Sequence, residues 1–171
     1  MSHQMTHPGG TLIREATASD WPSIWQVLEP VFRAGETYSF ARDITSDEAQ
    51  QAWMVVPART FVCERTTGQV VGTYYLKANQ PGQGNHVANC GYVVSPEARG
   101  LGVASAMCLH SQSTAQALGF RSMQFNFVVA TNEQAVRLWQ HHGFAIVGTL
   151  PQAFRHPTRG YVDALVMHKH L

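Results

Sequence analysis

At 171 residues, 44% hydrophobic and 13% charged, the chain is long enough for one domain with a sizeable core. A formal net charge of +1, with only Lys77 and Lys169 as lysines, leaves no basic patch and argues against nucleic-acid or anionic-membrane partners. Three cysteines (Cys63, Cys90, Cys108) without C-x-x-C spacing, no apolar run near the ~18 residues of a membrane span, and an N-terminus without a hydrophobic signal region argue against a disulfide framework, a zinc site and a membrane protein, and predict a cytoplasmic one.

Residues 1–10, polar and ending in Pro8-Gly9-Gly10, read as a flexible tail, and 11–171 as the single domain. Leu12 to Ala16 reads as a first strand. Asp20 is placed to cap a helix with Pro22 in its first turn and Trp21, Ile24, Trp25, Leu28, Val31 and Phe32 at helical spacing. Gly35 to Phe40 breaks it. Thr45-Ser46-Asp47-Glu48 starts a second helix that runs through Trp53. Two β runs, Phe61–Arg65 and Val70–Leu76, flank a Thr67-Gly68 hairpin signal, and Pro81 to Asn85 is a turn-rich loop. His86 to Val94 is the next strand. A helix follows Gly102 and ends near Gly119. Phe125, Phe127 and Val129 alternate along a fifth strand, Asn132 caps the next helix, and Phe144 to Gly148 is a sixth strand. A loop over Pro151–Gly160 precedes a last strand, Val162 to His168. The order β-α-α-β-β-β-α-β-α-β-β predicts a three-layer α/β sandwich, a mixed twisted sheet of about seven strands with helices on both faces.

The stretch after Val94 carries the chemistry. Ser95-Pro96 stops the strand, and Arg99-Gly100-Leu101-Gly102-Val103-Ala104 leads straight into the helix. Glycines admit a ligand close to the backbone, the first-turn N–H groups and the helix dipole favour an anion, and Arg99 adds a planar donor fork. A P-loop is excluded because no Lys follows the glycines, and a dinucleotide fingerprint because its third glycine is missing.

What remains, R-x-x-G-x-A after a strand ending in V-x-P, resembles the pyrophosphate loop of the GNAT superfamily of acetyl-CoA-dependent N-acetyltransferases. Asn132, Ala135, Leu138, Gly143 and Phe144 resemble the same superfamily's N-x-x-A-x-x-L-Y-x-x-x-G-F segment, with Trp139 where the family usually has Tyr. The resemblance implies acetyl-CoA as co-substrate, with Tyr92, Val93 and Val94 offering backbone groups to the pantetheine arm. It implies Arg99, Gly100, Leu101, Gly102, Val103, Ala104 and Ser105 around the pyrophosphate, and Asn132 and Trp139 beside the pantetheine and thioester. Asn132 also suits a plain helix cap. An indole N–H donates but cannot give up its proton, so the family's Tyr general acid has no counterpart here.

No carboxylate lies on the strand His86–Val94, so the general base is not evident. Asn89 and Asn126 stand in apolar strands, where a buried amide needs partners. Either they satisfy splayed strand backbone or they orient the acceptor. The neighbourhood resembles a GNAT branch that acetylates proline analogues such as azetidine-2-carboxylate, which would make Asn89 and Asn126 the acceptor-orienting pair. Glu36 and Tyr38 are acceptor contacts by position, or a solvated Glu and a packed Tyr. Arg155 and Arg159 suit an anionic substrate or solvent. His168 with His170, and His141 with His142, lack the further ligands a metal needs, and Cys108 reads as a buried helix cysteine. The expected activity is acetyl transfer to a small-molecule amine, an amino acid or its analogue, by a monomer or homodimer. A non-catalytic acyl-CoA sensor and a protein or peptide N-acetyltransferase are the other readings.

Overall fold

The computed structural model describes residues 6–7 and 10–171. Eight strands form one sheet: β1 (Thr6–His7), β2 (Thr11–Glu15), β3 (Arg59–Arg65), β4 (Val70–Ala78), β5 (Val87–Val94), β6 (Ser122–Val129), β7 (Ala145–His156) and β8 (Gly160–His170). Their spatial order is β1-β2-β3-β4-β5-β6-β8-β7. Every neighbouring pair is antiparallel except β5–β6. The strand beyond the expected seven is β1, whose Thr6 and His7 pair with Leu12 and Thr11. The rest of the tail expected to be flexible, residues 1–5 and 8–9, lies outside the described residues.

The helices are α1 (Trp21–Ala34), α2 (Ser46–Gln50, widening into a π turn over Gln51–Val55), α3 (Val103–Ala117) and α4 (Glu133–His141). Two cores confirm helices on both faces. Val103, Met107 and Cys108 of α3 and Trp139 of α4 pack with Tyr74, Cys90 and Phe125 on one face. Ile24, Leu28 and Phe32 of α1 and Trp53 of the π turn pack with Val62 and Val93 on the other. Strand alternation sorts the side chains: Phe61 and Cys63 face the first core and Val62 the second. Gly72 is required where α3 crosses β4, since a Cβ there would stand 2.9 Å from Val103 Cγ1.

Local chemistry sets the element ends. The N–H of Gly35, at φ 67°, closes α1 onto Val31 O. Thr45 Oγ1 accepts from Glu48 N–H at 3.2 Å and the Glu48 carboxylate accepts from Thr45 N–H at 2.8 Å, a reciprocal cap for α2. Asp20 departs from expectation. It makes no side-chain cap to α1. Its carboxylate instead accepts Thr17 N–H at 2.7 Å and both Arg14 guanidinium N–H groups at 2.8 and 2.9 Å.

The Arg14 hydrogen bonds hold the Asp20 carboxyl well below the usual carboxylate range. A depressed folded-state pKa means stability that is present above the unfolded value of ~3.9 and lost as pH falls through and below it. Asp20→Asn is expected to cost about 1 kcal/mol at neutral pH and to flatten the loss of stability between about pH 4 and lower values. Urea unfolding at a series of pH values reads both effects.

The stretch Pro151–Gly160, expected as a loop, is mostly strand. β7 continues to His156 and β8 starts at Gly160, leaving only Pro157–Arg159 as the hairpin tip. The ladder slips between Leu150 and Phe154, and Pro151 and Gln152 (φ 49°) bulge out of it on an edge strand. A proline is tolerated there because the bulge asks no ladder N–H of it.

Candidate active site

The sheet opens at its one parallel junction. β5 and β6 pair only at Val87–Ser122 and Ala88–Met123 and then diverge. The bonds Ser95 N–H to Val71 O and Asn79 N–H to Val87 O, each 2.8 Å, fix which β5 residues bond to β4. Alternation along the antiparallel register makes Gly91–Tyr75 and Val93–Thr73 the bonded pairs. Tyr92 and Val94 therefore turn their N–H and C=O groups into the fork. Val93, one of the three residues expected to supply these groups, instead bonds to β4 and buries its side chain among α1 and α2.

Asn89 ties the two arms of this fork together, and Asn126 ties β6 to Asn79 after β4. Asn89 is 6% exposed, and its Nδ2 donates to Gln124 O of β6 at 2.9 Å. Its Oδ1 accepts the Tyr75 hydroxyl at 3.4 Å. Asn126 is exposed, not buried as its apolar neighbours suggested. The β6 ladder slips between Phe125 and Val128, so both of those enter the core and Asn126 bulges to the surface. There Asn126 Nδ2 donates to Asn79 Oδ1 at 2.6 Å and its Oδ1 accepts from Gln124 Nε2 at 2.9 Å.

The glycine turn closes one end of the fork. Gly100 and Gly102 have φ 76° and 80°, and a Cβ on either would meet no protein atom within 4 Å. The space beside them is therefore open to a ligand. The first bond of α3 runs from Ala106 N–H to Gly102 O, leaving the Val103, Ala104 and Ser105 N–H groups without helical acceptors. Arg99 is exposed at the rim and makes no ion pair among the described residues. Ser105 Oγ lies 2.7 Å from His142 Nε2. Leu101 is 59% exposed and takes no part in the cleft wall, contrary to its place in the expected set. Its N–H is spent on Ala98 O, which turns the side chain out to solvent.

Fork and turn open into one cleft of about 1070 Å³. It is lined by all the other expected residues: Glu36, Tyr38, Asn89, Tyr92, Val93, Val94, Arg99, Gly100, Gly102, Val103, Ala104, Ser105, Asn126, Asn132 and Trp139. Trp139, 8% exposed, bridges the two arms, its ring 4.9 Å from Tyr92 and 5.2 Å from Phe125. The indole N–H has no protein acceptor among the described residues. Asn132 Oδ1 caps α4 through Ala135 N–H at 3.4 Å, and its Nδ2 remains free for a ligand. The Tyr38 hydroxyl donates to Tyr92 O at 2.9 Å, so Tyr38 braces the fork and is a packed Tyr as well as a wall of the cleft.

No tyrosine or cysteine here is a base near neutral pH. Burial pushes the Tyr75 hydroxyl to about 12, Tyr38 well above its ordinary value, and the Cys90 and Cys108 thiols to about 12 and 11. Tyr75 and Lys77 are wall residues that the sequence reading missed. Their signal was available: two polar-tipped residues two apart on β4 share a face, and register places them opposite Gly91 and Asn89. The paired histidine rings lie 5.2 Å apart (His141, His142) and 4.9 Å apart (His168, His170). No group of three metal-ligating side chains exists among the described residues. Among them, too, no helix is long and apolar enough to cross a membrane.

A mixed sheet split at its parallel junction, with a glycine turn and a helix N-terminus at the mouth, defines a protein built to lay an anionic, strand-like ligand between two strands. The chain belongs to the acetyltransferase (GNAT) family, whose pattern matches residues 21–144. Its structure resembles that of a GCN5-related N-acetyltransferase from Kribbella flavida, with TM-score 0.91, 42% identity, and coverage of 96% of this chain and 100% of that one. A phosphinothricin acetyltransferase from Sinorhizobium meliloti, solved with acetyl-CoA, shares the fold at TM-score 0.84 and 22% identity, covering 95% and 89% of the two chains. Over 102 residues, 59% of this chain, the sequence is 36% identical to N-acetyltransferase aca1 of Schizosaccharomyces pombe, and the match spans about half (49%) of that protein. GNAT homologues bind acetyl-CoA as co-substrate. The open glycine cradle, the unspent α3 N–H groups and the forked backbone suit its pyrophosphate and pantetheine.

Proposed function

We propose that the protein transfers an acetyl group from acetyl-CoA to the amine of a small molecule, an amino acid or amino-acid analogue, in the cytoplasm. The observation that carries this reading is the convergence of the fork and the glycine turn on one cleft. The α3 N–H groups and Arg99 hold the pyrophosphate, and Asn132 Nδ2 and the Tyr92 and Val94 backbones hold the pantetheine. A fork-facing N–H of β5 stabilises the oxyanion as the amine attacks. The amine must arrive neutral, and with no tyrosine or cysteine able to accept its proton near pH 7, water in the open cleft takes it. The thiolate leaves without a proton from the protein, since indole N–H can only donate a hydrogen bond to it. Calorimetric titration with acetyl-CoA, followed by a thiol-release screen over amino acids, proline analogues and polyamines, tests the reading. Binding without turnover of any acceptor would favour a sensor, and failure to bind would remove the reading altogether.

Asn89 is the acceptor-orienting residue in this reading, with Asn126 and Tyr38 at the mouth. Asn89→Ala leaves Gln124 O unpaired and is expected to cost about 1–3 kcal/mol of stability. It is also expected to lower kcat/KM for the acceptor by about 100-fold through lost positioning, with acetyl-CoA affinity unchanged. Asn126→Ala, at an exposed position, is expected to change stability by less than about 0.5 kcal/mol. Denaturant unfolding and steady-state kinetics on both variants check these values. Edge strand β7 carries exposed Ile146, Val147 and Leu150, which supports a homodimer paired through it. Sedimentation equilibrium reads that state directly.

A further inference from the structure

A second, smaller recess of about 220 Å³ opens beside the main cleft. It is lined by His156, Thr158 and Arg159 of the β7–β8 hairpin, by Thr131 and Asn132 before α4, and by Glu36 and Thr37 after α1. Glu36, Thr37 and Asn132 line both spaces, so the recess adjoins the acyl-transfer cleft.

His156 gives the recess its character. It is 8% exposed, the last residue of β7, held opposite Gly160 across the hairpin. Its Nδ1 accepts the Thr158 N–H at 3.2 Å, with the Thr158 hydroxyl at 3.3 Å. A ring nitrogen that accepts a backbone N–H carries no proton, so the ring hydrogen of the neutral imidazole sits on Nε2. That N–H has no protein acceptor among the described residues. A buried donor fixed in direction and left unspent at a cavity wall calls for an acceptor from outside. Arg159, the residue after Thr158 and the last of the hairpin tip, is exposed and makes no ion pair among the described residues. The hairpin thus brings a planar cation and a directed neutral donor to one small space, with the hydroxyls of Thr131 and Thr158 beside them. This is the donor set of a carboxylate site.

We infer that this recess is the acceptor's carboxylate subsite, and that the acceptor amine lies at the junction beside Glu36, facing the thioester end of the cleft. The inference rests on the acetyltransferase reading and gives the carboxylate of its amino-acid acceptor a site. Glu36 suits the other end of such a molecule, because its carboxylate attracts the ammonium form before the proton is lost. Asn89 then orients the amine at the fork while His156 and Arg159 anchor the far end. The hairpin tip becomes the specificity element because His156, Thr158 and Arg159 line the recess that adjoins the cleft.

The test is a binding measurement independent of turnover. CoA-saturated protein, with its histidine rings labelled with nitrogen-15, is titrated with a panel of free amino acids and with their amides. The His156 resonance is identified by its loss in His156→Gln. At least one amino acid is expected to shift that resonance with a Kd at least tenfold below that of its amide. Arg159→Ala, an exposed position where folding is not at issue, is expected to erase the difference and leave acetyl-CoA affinity unaltered. An unmoved His156 signal across the panel, equal binding of acids and amides, or discrimination that survives Arg159→Ala would each overturn the subsite. Amino-acid binding at His156 with no acetylated product once acetyl-CoA replaces CoA would instead overturn the acetyltransferase reading and leave the subsite standing.

Discussion

Gly102→Glu is expected to weaken acetyl-CoA binding at least 100-fold, about 2.7 kcal/mol, while the protein stays folded. Two effects are separable because the structure leaves the space beside Gly102 empty. The φ of 80° is costly for any residue with a Cβ, roughly 1–2 kcal/mol. No protein atom lies within 4 Å of that Cβ, so no clash is added to the strain. For a chain of this size the strain corresponds to a melting temperature lower by roughly 2–8 °C. The ligand bears the larger loss. A carboxylate replaces open space at the N-terminus of α3, where the unspent N–H groups of Val103, Ala104 and Ser105 otherwise meet phosphate oxygens. Gly102→Ala carries the same strain without the carboxylate, so the difference between the two variants separates the added side chain, its bulk and charge together, from backbone geometry. Calorimetry with acetyl-CoA and thermal unfolding on both give the four numbers needed. Unchanged affinity in Gly102→Glu would mean that the glycine turn is a structural connection and not the pyrophosphate cradle.

Trp139→Ala is expected to lower the unfolding free energy by about 3–5 kcal/mol, or the melting temperature by roughly 6–20 °C. The indole is 8% exposed and spans the two arms of the fork between Tyr92 and Phe125. Its removal leaves a cavity at the point where the sheet has no strand-to-strand hydrogen bonds to hold it. Trp139→Phe keeps a ring between the same neighbours but loses the N–H together with the second ring of the indole. Turnover in Trp139→Phe is expected to fall by no more than about threefold, under 1 kcal/mol of barrier, because an indole supplies no proton to the departing thiolate. A loss of 100-fold or more in Trp139→Phe with little change in stability would place the N–H at the reacting atoms. Chemical denaturation and steady-state rates on the pair distinguish packing from chemistry at this one position.

Much of the architecture was legible along the chain because it follows local rules. Period-2 and period-3.6 patterns, the Thr45–Glu48 cap and the Gly35 stop each act within a few residues. The anion loop was legible for the same reason: Arg99, Gly100, Gly102 and the start of α3 are consecutive, so their types and spacing already define the turn. Where two strands slip in register, the local pattern fails. The bulges after Phe125 and Leu150 hid the exposure of Asn126 and the true length of β7, since a slip is a property of the pair and not of either strand alone.

The sequence by itself determined the family-type loop, the Thr45 and Asn132 helix caps and a sheet with helices on both faces. Only the tertiary structure decided that Asn89 spends its amide on Gln124 O, that Tyr38 reaches Tyr92 O, and that Val93 turns away from the fork. It also decided that Glu36, Asn132 and His156, some 120 residues from end to end, share a wall. The physical reason is that hydrogen-bond satisfaction is settled between elements distant in sequence, by which strands lie side by side and where they part.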